Sequence, residues 1–368
     1  SLYHKAAIES GAYSYWTAQP MQEAEQQYDD LLASTGCRIF GKLSCLLSLN
    51  AKRLLRISWF GLPPRRKPYG CPFAPTVDGV ELQRLPWELR DEGRFNTQVP
   101  VLLGYNKDEG TLGIDLQPSL PGCKLYEKVS NMTAGDFARL LTGFQFWVDP
   151  ARLPDVLDVY SVNSTDDYTN WYWVATHFAG DYAFSCPSRR TARALSKFSS
   201  SAVFLYYFAH TPRAKPFPFA GVRGRPDTAG ASHASELEFV FMMTDPADPL
   251  AQHLIGDDEM LLSKTMAGYW INFARASNPN PLGGARDSTY TDLTIDWEPF
   301  KGGHEASIRL DLPRLSAMVG RDNRQCDLID KLGVVSASLA RAVPMTPVRI
   351  PQPAAVGRSL ERETPLLV

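Results

Sequence analysis

Two residues of this 368-residue sequence have the side chains and the placement for proton-transfer chemistry. Glu109 lies in GYNKDEGT, directly after the apolar run at residues 99–104 (VPVLLG). His233 lies in GASHASELEFVF, after a second apolar run at residues 202–208 (AVFLYYF) and a long loop. A carboxylate can fix the tautomer of an imidazole and stabilise its cation, and the imidazole can take a proton from a hydroxyl and return it to a leaving group. Acid, then base, in that chain order, make two members of a three-residue nucleophilic constellation. Read singly, Glu109 is equally an ordinary solvated carboxylate and His233 an ordinary structural histidine. The third member is missing. No G-x-S-x-G turn occurs in the sequence, and Gly230-Ala231-Ser232-His233-Ala234 lacks the second glycine and belongs to the histidine's own loop. No His-Gly-Gly run, the usual source of oxyanion donors, is present either.

The elements around these residues explain why they attract attention. Runs of four to eight apolar residues bounded by turn formers read as strands buried on both faces, as in parallel sheets. Residues 5–10 (KAAIES) predict a shorter strand ending in a turn, and 307–310 a final edge strand. Residues 21–34 have helical spacing, and several helices are expected across 133–200. The best helix is 257–276, with Asp257 or Asp258 as cap and Leu262, Met266, Tyr269, Trp270 and Phe273 on one face. Strands alternating with helices predict an α/β fold with a mainly parallel sheet, whose chemistry sits on loops past the strand ends. Residues 61–75 and 213–225, rich in Pro, Gly and Arg, predict loops. Residues 333–368 lack a period and read as a disordered tail following one domain over 1–332.

Composition narrows the function. Forty-four per cent hydrophobic residues suffice for a large core, and a formal charge of −2 gives no basic stripe for nucleic acid. No apolar run is long enough to span a membrane, and no signal peptide is visible. No Cys-x-x-Cys or other ligand spacing supports a metal site, and no cofactor motif occurs. Oligomeric state is not legible. The sequons at Asn131 and Asn163, with six cysteines, fit a secreted or lumenal protein.

FAPTVDGVELQRLPWELRDEGRFNTQVPVLLG, VPVLLGYNKDEGT (which overlaps its end), GASHASELEFVF, YWINFARASNPN and WEPF, in that chain order, resemble the C-terminal blocks of the type-B carboxylesterase and cholinesterase family. LYHKAAIESGAYS resembles the segment after that family's nucleophile helix. The resemblance covers residues 1–330 and implies an incomplete α/β-hydrolase that cleaves small-molecule carboxylic esters. It casts Glu109 as triad acid and His233 as general base. Ser10 and Glu236 match supporting positions, though ordinary polar packing would explain them as well. In the family the nucleophile and oxyanion loop precede LYHKAAIESG, so the expectation is a C-terminal fragment, inactive alone. The alternatives are a non-catalytic, cholinesterase-like binding or adhesion module and a defective gene product.

The same resemblance pairs Cys37 with Cys45 and Cys186 with Cys326, bridges that loop entropy makes worth up to ~2.5 and ~5 kcal/mol. Six free thiols remain the alternative, and Cys71 and Cys123 have no assigned partner. The clusters Phe144-Phe146-Trp147 and Trp171-Tyr172-Trp173 read as core or lid packing, or as pocket lining.

Overall fold

Alternation of side chains across two buried strands builds the centre of the molecule. In the computed structural model the described residues are 2–14, 17–39, 41–57, 73–112, 131–142, 146, 148–216, 220–221, 225–244, 254–281, 289 and 291–332. Cys71, Cys123, Phe144, Trp147 and the tail 333–368 lie outside them, as do parts of both predicted loops.

In chain order the described elements are β1 (Ala6–Glu9), β2 (Gln19–Pro20), α1 (Met21–Thr35), α2 (Lys42–Leu47), α3 (Ala51–Arg56), β3 (Thr76–Val77), α4 (Pro86–Asp91) and β4 (Val101–Asn106). There follow α5 (Ala134–Thr142), α6 (Leu153–Val159), α7 (Trp171–Gly180), α8 (Cys186–Phe198), β5 (Val203–Phe208), α9 (Pro226–Ala229) and α10 (Leu237–Val240). The last four are α11 (Asp257–Ala276), β6 (Ala306–Leu310), β7 (Ser316–Val319) and α12 (Asn323–Lys331). The fold is α/β. Its main sheet has the order β1-β4-β5-β6-β7, parallel from β1 to β6 and antiparallel at β7.

Period-two alternation sorts the side chains of β4 and β5 onto two faces. Leu102, Phe204, Tyr206 and Phe208 face α11, where Leu262, Met266, Tyr269 and Phe273 meet them beside Trp297. Val101, Leu103, Tyr105, Val203, Leu205 and Tyr207 pack on the other side against Ala192 and Leu195 of α8. Every residue of β4 and β5 is buried, which is why both read as unbroken apolar runs. A third core joins α5, α6, α7 and α12, with Phe146 and Tyr172 inside it and Trp171 and Trp173 at its margin. These members of the two aromatic clusters are therefore core packing.

Two expectations need correction, and one small element was not expected. The residue before α11 is Gly256, and no side chain caps that helix; Asp258 lies in its first turn and grips Arg213 across both guanidinium nitrogens. The final strand is not 307–310, because β7 pairs outside β6 through the register Ala306↔Val319 to Arg309↔Ser316. The sequence signal for β7 is faint since its residues are only half covered. The small parallel pair β2–β3 is two residues long, too short for any pattern to show.

The two bridges join the cysteines expected from the resemblance: Cys37 to Cys45, and Cys186 at the start of α8 to Cys326 in α12, a separation of 140 residues. No helix among the described residues is long and apolar enough to cross a membrane.

Candidate active site

The ends of adjacent parallel strands bring Glu109 and His233 together. β4 runs out at Asn106, and the chain turns at once into a single 3₁₀ turn, Glu109–Thr111. The turn packs tightly on α7. A methyl group on Gly110 would lie 1.9 Å from the Thr176 carbonyl oxygen, so only glycine fits there. Beyond β5, the histidine loop comes back beside this turn through a parallel bridge between Asp108 and Ser232. The Asp108 N–H donates to the Ala231 carbonyl at 3.0 Å, and the Ala231 N–H donates to Asp108 Oδ2 at 2.8 Å.

Glu109 is buried, and its carboxylate is fully engaged. Oε2 lies 2.6 Å from His233 Nδ1. Oε1 accepts from the Asn106 N–H at 2.7 Å and from the Ser10 hydroxyl. Three partners leave this carboxylate one orientation, and an acceptor at Nδ1 selects the imidazole tautomer protonated there, with Nε2 as the basic nitrogen. His233 keeps 28% of its side-chain exposure, whereas Glu109 keeps none. The pair is thus a buried acid behind an accessible base. Phe184 packs against the imidazole with ring centroids 4.7 Å apart and planes tilted by 32°, restraining its rotation.

Burial alone would push the His233 pKa down, but the facing charge and hydrogen bond of Glu109, helped by Glu236, outweigh it and leave the pKa above the ordinary value. Glu236 lies deeper, fully buried, and its pKa is pushed up to about 7 by burial first and by the Glu109 charge second. Its Oε2 accepts from the Asn106 side-chain amide, which also donates to the Ser232 carbonyl at 2.8 Å. Ser10, Glu236, Glu109 and His233, the four residues singled out in the sequence, therefore share one hydrogen-bonded cluster.

Backbone conformation adds a second sign of specialisation. Ser10 and Ala234, on either side of the cluster, have φ of 53° and 69°, values that cost a non-glycine residue roughly 1–3 kcal/mol unless its surroundings impose them. For Ser10 they do, since its N–H donates to the Gly104 carbonyl at 2.9 Å while its hydroxyl holds Glu109.

Three residues of the cluster escaped the sequence reading. Asn106 serves both carboxylates, yet at a strand end it resembles any turn residue. Asp108 neighbours Glu109 but supports the histidine loop, with Oδ1 3.3 Å from Nε2 of the buried His177. Burial lowers the His177 pKa, and Asp108, Asp181 and Asp167 more than reverse that, leaving it above its ordinary value. His177 sits inside apolar α7, where nothing in the sequence marks it. Among the described residues no group of His, Cys, Asp and Glu side chains could hold a metal ion.

Comparison with known proteins bears on the family. The model of the Carboxylesterase family matches residues 1–329. Carboxylesterase 1C of Mus musculus is 27% identical over 286 residues, which cover 77% of this chain and 47% of that protein. The chain thus spans about half the length of that relative.

Proposed function

This chain belongs to the carboxylesterase family, and on that premise we propose that Glu109 and His233 are the acid and general base of a serine carboxylic-ester hydrolase. The observation that carries the proposal is the 2.6 Å contact between His233 Nδ1 and Glu109 Oε2, which leaves Nε2 as the basic nitrogen of a side chain that keeps 28% exposure. A serine hydroxyl at Nε2 would lose its proton to that nitrogen while its oxygen adds to the ester carbonyl. The imidazolium, facing Glu109, would pass the proton to the departing alkoxide, leaving an acyl-serine. Water deprotonated by the same nitrogen would then release the acid and restore the serine. Ser10 and Glu236 support this pair from behind, Ser10 by holding Glu109 and Glu236 by adding negative potential as it loses its proton above about pH 7.

The nucleophile and oxyanion donors are not among these 368 residues, since neither G-x-S-x-G nor His-Gly-Gly occurs. The chain by itself is therefore proposed to be inactive, as the C-terminal part of a longer esterase acting on a small-molecule ester. A secreted or lumenal location accords with the two disulfides and with Asn131 and Asn163, both exposed and both in sequons that glycosylation would use. The binding-module alternative has no use for a carboxylate locked onto a histidine, and the strain at Ser10 favours catalysis over it.

The test is turnover of p-nitrophenyl esters. The pure chain should show none, and a longer form bearing an in-frame G-x-S-x-G should show turnover that His233→Ala abolishes. Turnover by the 368 residues alone, or a longer form indifferent to His233→Ala, would overturn the proposal.

A further inference from the structure

We propose that residues 38–39 and 41–57 form a docking surface for an anionic lipid bilayer, touched from one side and not spanned. The charge of the chain is sharply divided. Residues 31–77 hold eight Lys and Arg and no Asp or Glu, while the remainder holds 30 against 40. Five of those cations, Arg38, Lys42, Lys52, Arg53 and Arg56, lie in the described segment, and all five are exposed. Lys52 and Arg56 stand at i and i+4 on α3, a like-charge spacing that disfavours the helix until an anionic surface faces it.

Aliphatic side chains project from the same segment. Ile39, Leu43, Leu47 and Leu55 are 79%, 64%, 76% and 57% exposed, and neither α2 nor α3 has a buried residue. Leu43 and Leu47 share one face of α2. The segment is nevertheless mounted firmly. Leu31 and Leu32 bury the last turns of α1, and the Cys37–Cys45 bridge ties α2 to its end. Exposed aliphatic side chains interleaved with cations in a stretch that has no acidic residue of its own are what an acidic headgroup layer over acyl chains rewards: the cations meet phosphates and the aliphatic groups leave water.

Other polyanions fit less well. A nucleic acid would meet the cations and gain nothing from burying four aliphatic side chains. A protein groove that receives a helix reads anchors at i, i+3, i+4 and i+7. Here α2 ends at Leu47 and α3 restarts after the Asn50 cap, so no continuous helix carries such a ridge.

The test is flotation of the full chain with vesicles of phosphatidylcholine alone and of phosphatidylcholine with 30% phosphatidylserine. The chain should float with the anionic vesicles only. Two double variants, Leu43→Ser with Leu47→Ser and Lys52→Gln with Arg53→Gln, should each lower the bound fraction by about tenfold or more with unchanged circular dichroism. Failure to float with anionic vesicles, equal flotation with both kinds, or anionic flotation unaffected by either double variant would overturn the proposal. So would displacement by an equal charge of heparin in which the leucine variant behaves like the parent, since that would mark a polyanion site. None of these outcomes bears on Glu109 and His233, so the esterase reading stands or falls separately.

Discussion

Replacing Glu236 by Gln should stabilise the protein above neutral pH and do little below pH 4.5. Glu236 is fully buried, and its pKa rises from the ordinary 4.5 to about 7, through burial first and the Glu109 charge next. The folded chain thus holds a proton that the unfolded chain releases. The stability linked to that proton is complete below pH 4.5 and is lost as pH rises through about 7. A shift from 4.5 to about 7 corresponds to roughly 3 kcal/mol lost on the alkaline side, an order-of-magnitude figure at ~1.36 kcal/mol per unit. Glutamine is nearly isosteric with the protonated acid, so its oxygen can keep the Asn106 amide while carrying no charge to desolvate. Denaturant melts of parent and variant at pH 4.5, 6, 7 and 8.5 would measure the effect. The expected difference grows from near zero to ~2–3 kcal/mol in favour of the variant, with most of the rise between pH 5 and 7. A constant difference across the series, or a variant less stable at pH 8.5, would refute the idea that Glu236 pays a burial penalty when ionised.

Three further outcomes follow from the same coordinates. Glu109→Gln removes the charge that lifts the His233 pKa against burial, so an imidazole titration followed by NMR should move to lower pH; an unmoved or raised midpoint would contradict the pairing. Gly110→Ala forces a methyl group to within 1.9 Å of the Thr176 carbonyl oxygen, and the turn must shift at a cost of about 3 kcal/mol or more in a denaturant melt; a neutral result would mean that the Glu109 turn does not rest on α7. Opening the Cys186–Cys326 bridge by Cys326→Ala releases a loop of 140 residues, for which chain entropy gives up to ~5 kcal/mol, so the variant should melt well below the parent, and an equal melting point would leave the bridge without a stabilising role.

The centre of this fold was legible because its strands are buried on both faces. β4 and β5 announced themselves as apolar runs, and α11 as a stripe from Leu262 to Phe273, whose partners on β5 are Phe204, Tyr206 and Phe208. What failed to show was half covered or very short: β7 alternates only weakly, and β2 and β3 have two residues each. The site was legible in proportion to its position along the chain. Glu109 lies just past the end of β4 and His233 on the long loop that follows β5, so the rule that chemistry lies past strand ends points to both. His177 approaches from inside a helix, and Asn106 ends a strand, places where no local pattern separates a working polar group from a packed one. The pairing of cysteines came from resemblance to a family and not from their spacing, which permits other pairs equally well.

Asp108 and Glu109 show why neighbouring acids in one short turn are not interchangeable. The 3₁₀ turn begins between them and sends their side chains to different partners. Asp108 takes the Ala231 N–H and stands beside His177, so its charge is spent on the loop that carries His233. Glu109 takes the Ser10 hydroxyl and the Asn106 N–H on one oxygen and keeps the other for the imidazole. The longer side chain is the one that must cross from strand end to His233, while the shorter one reaches the Ala231 backbone and His177. Exchanging the two residues would preserve charge and composition yet leave His233 without its acid and Ala231 with a buried unpaired N–H, a loss of ~1–3 kcal/mol for that group alone. The base is therefore positioned twice, once through its ring by Glu109 and once through its backbone by Asp108. That double hold, anchored in β4 and in α7, is what a proton-transferring histidine on a long loop requires.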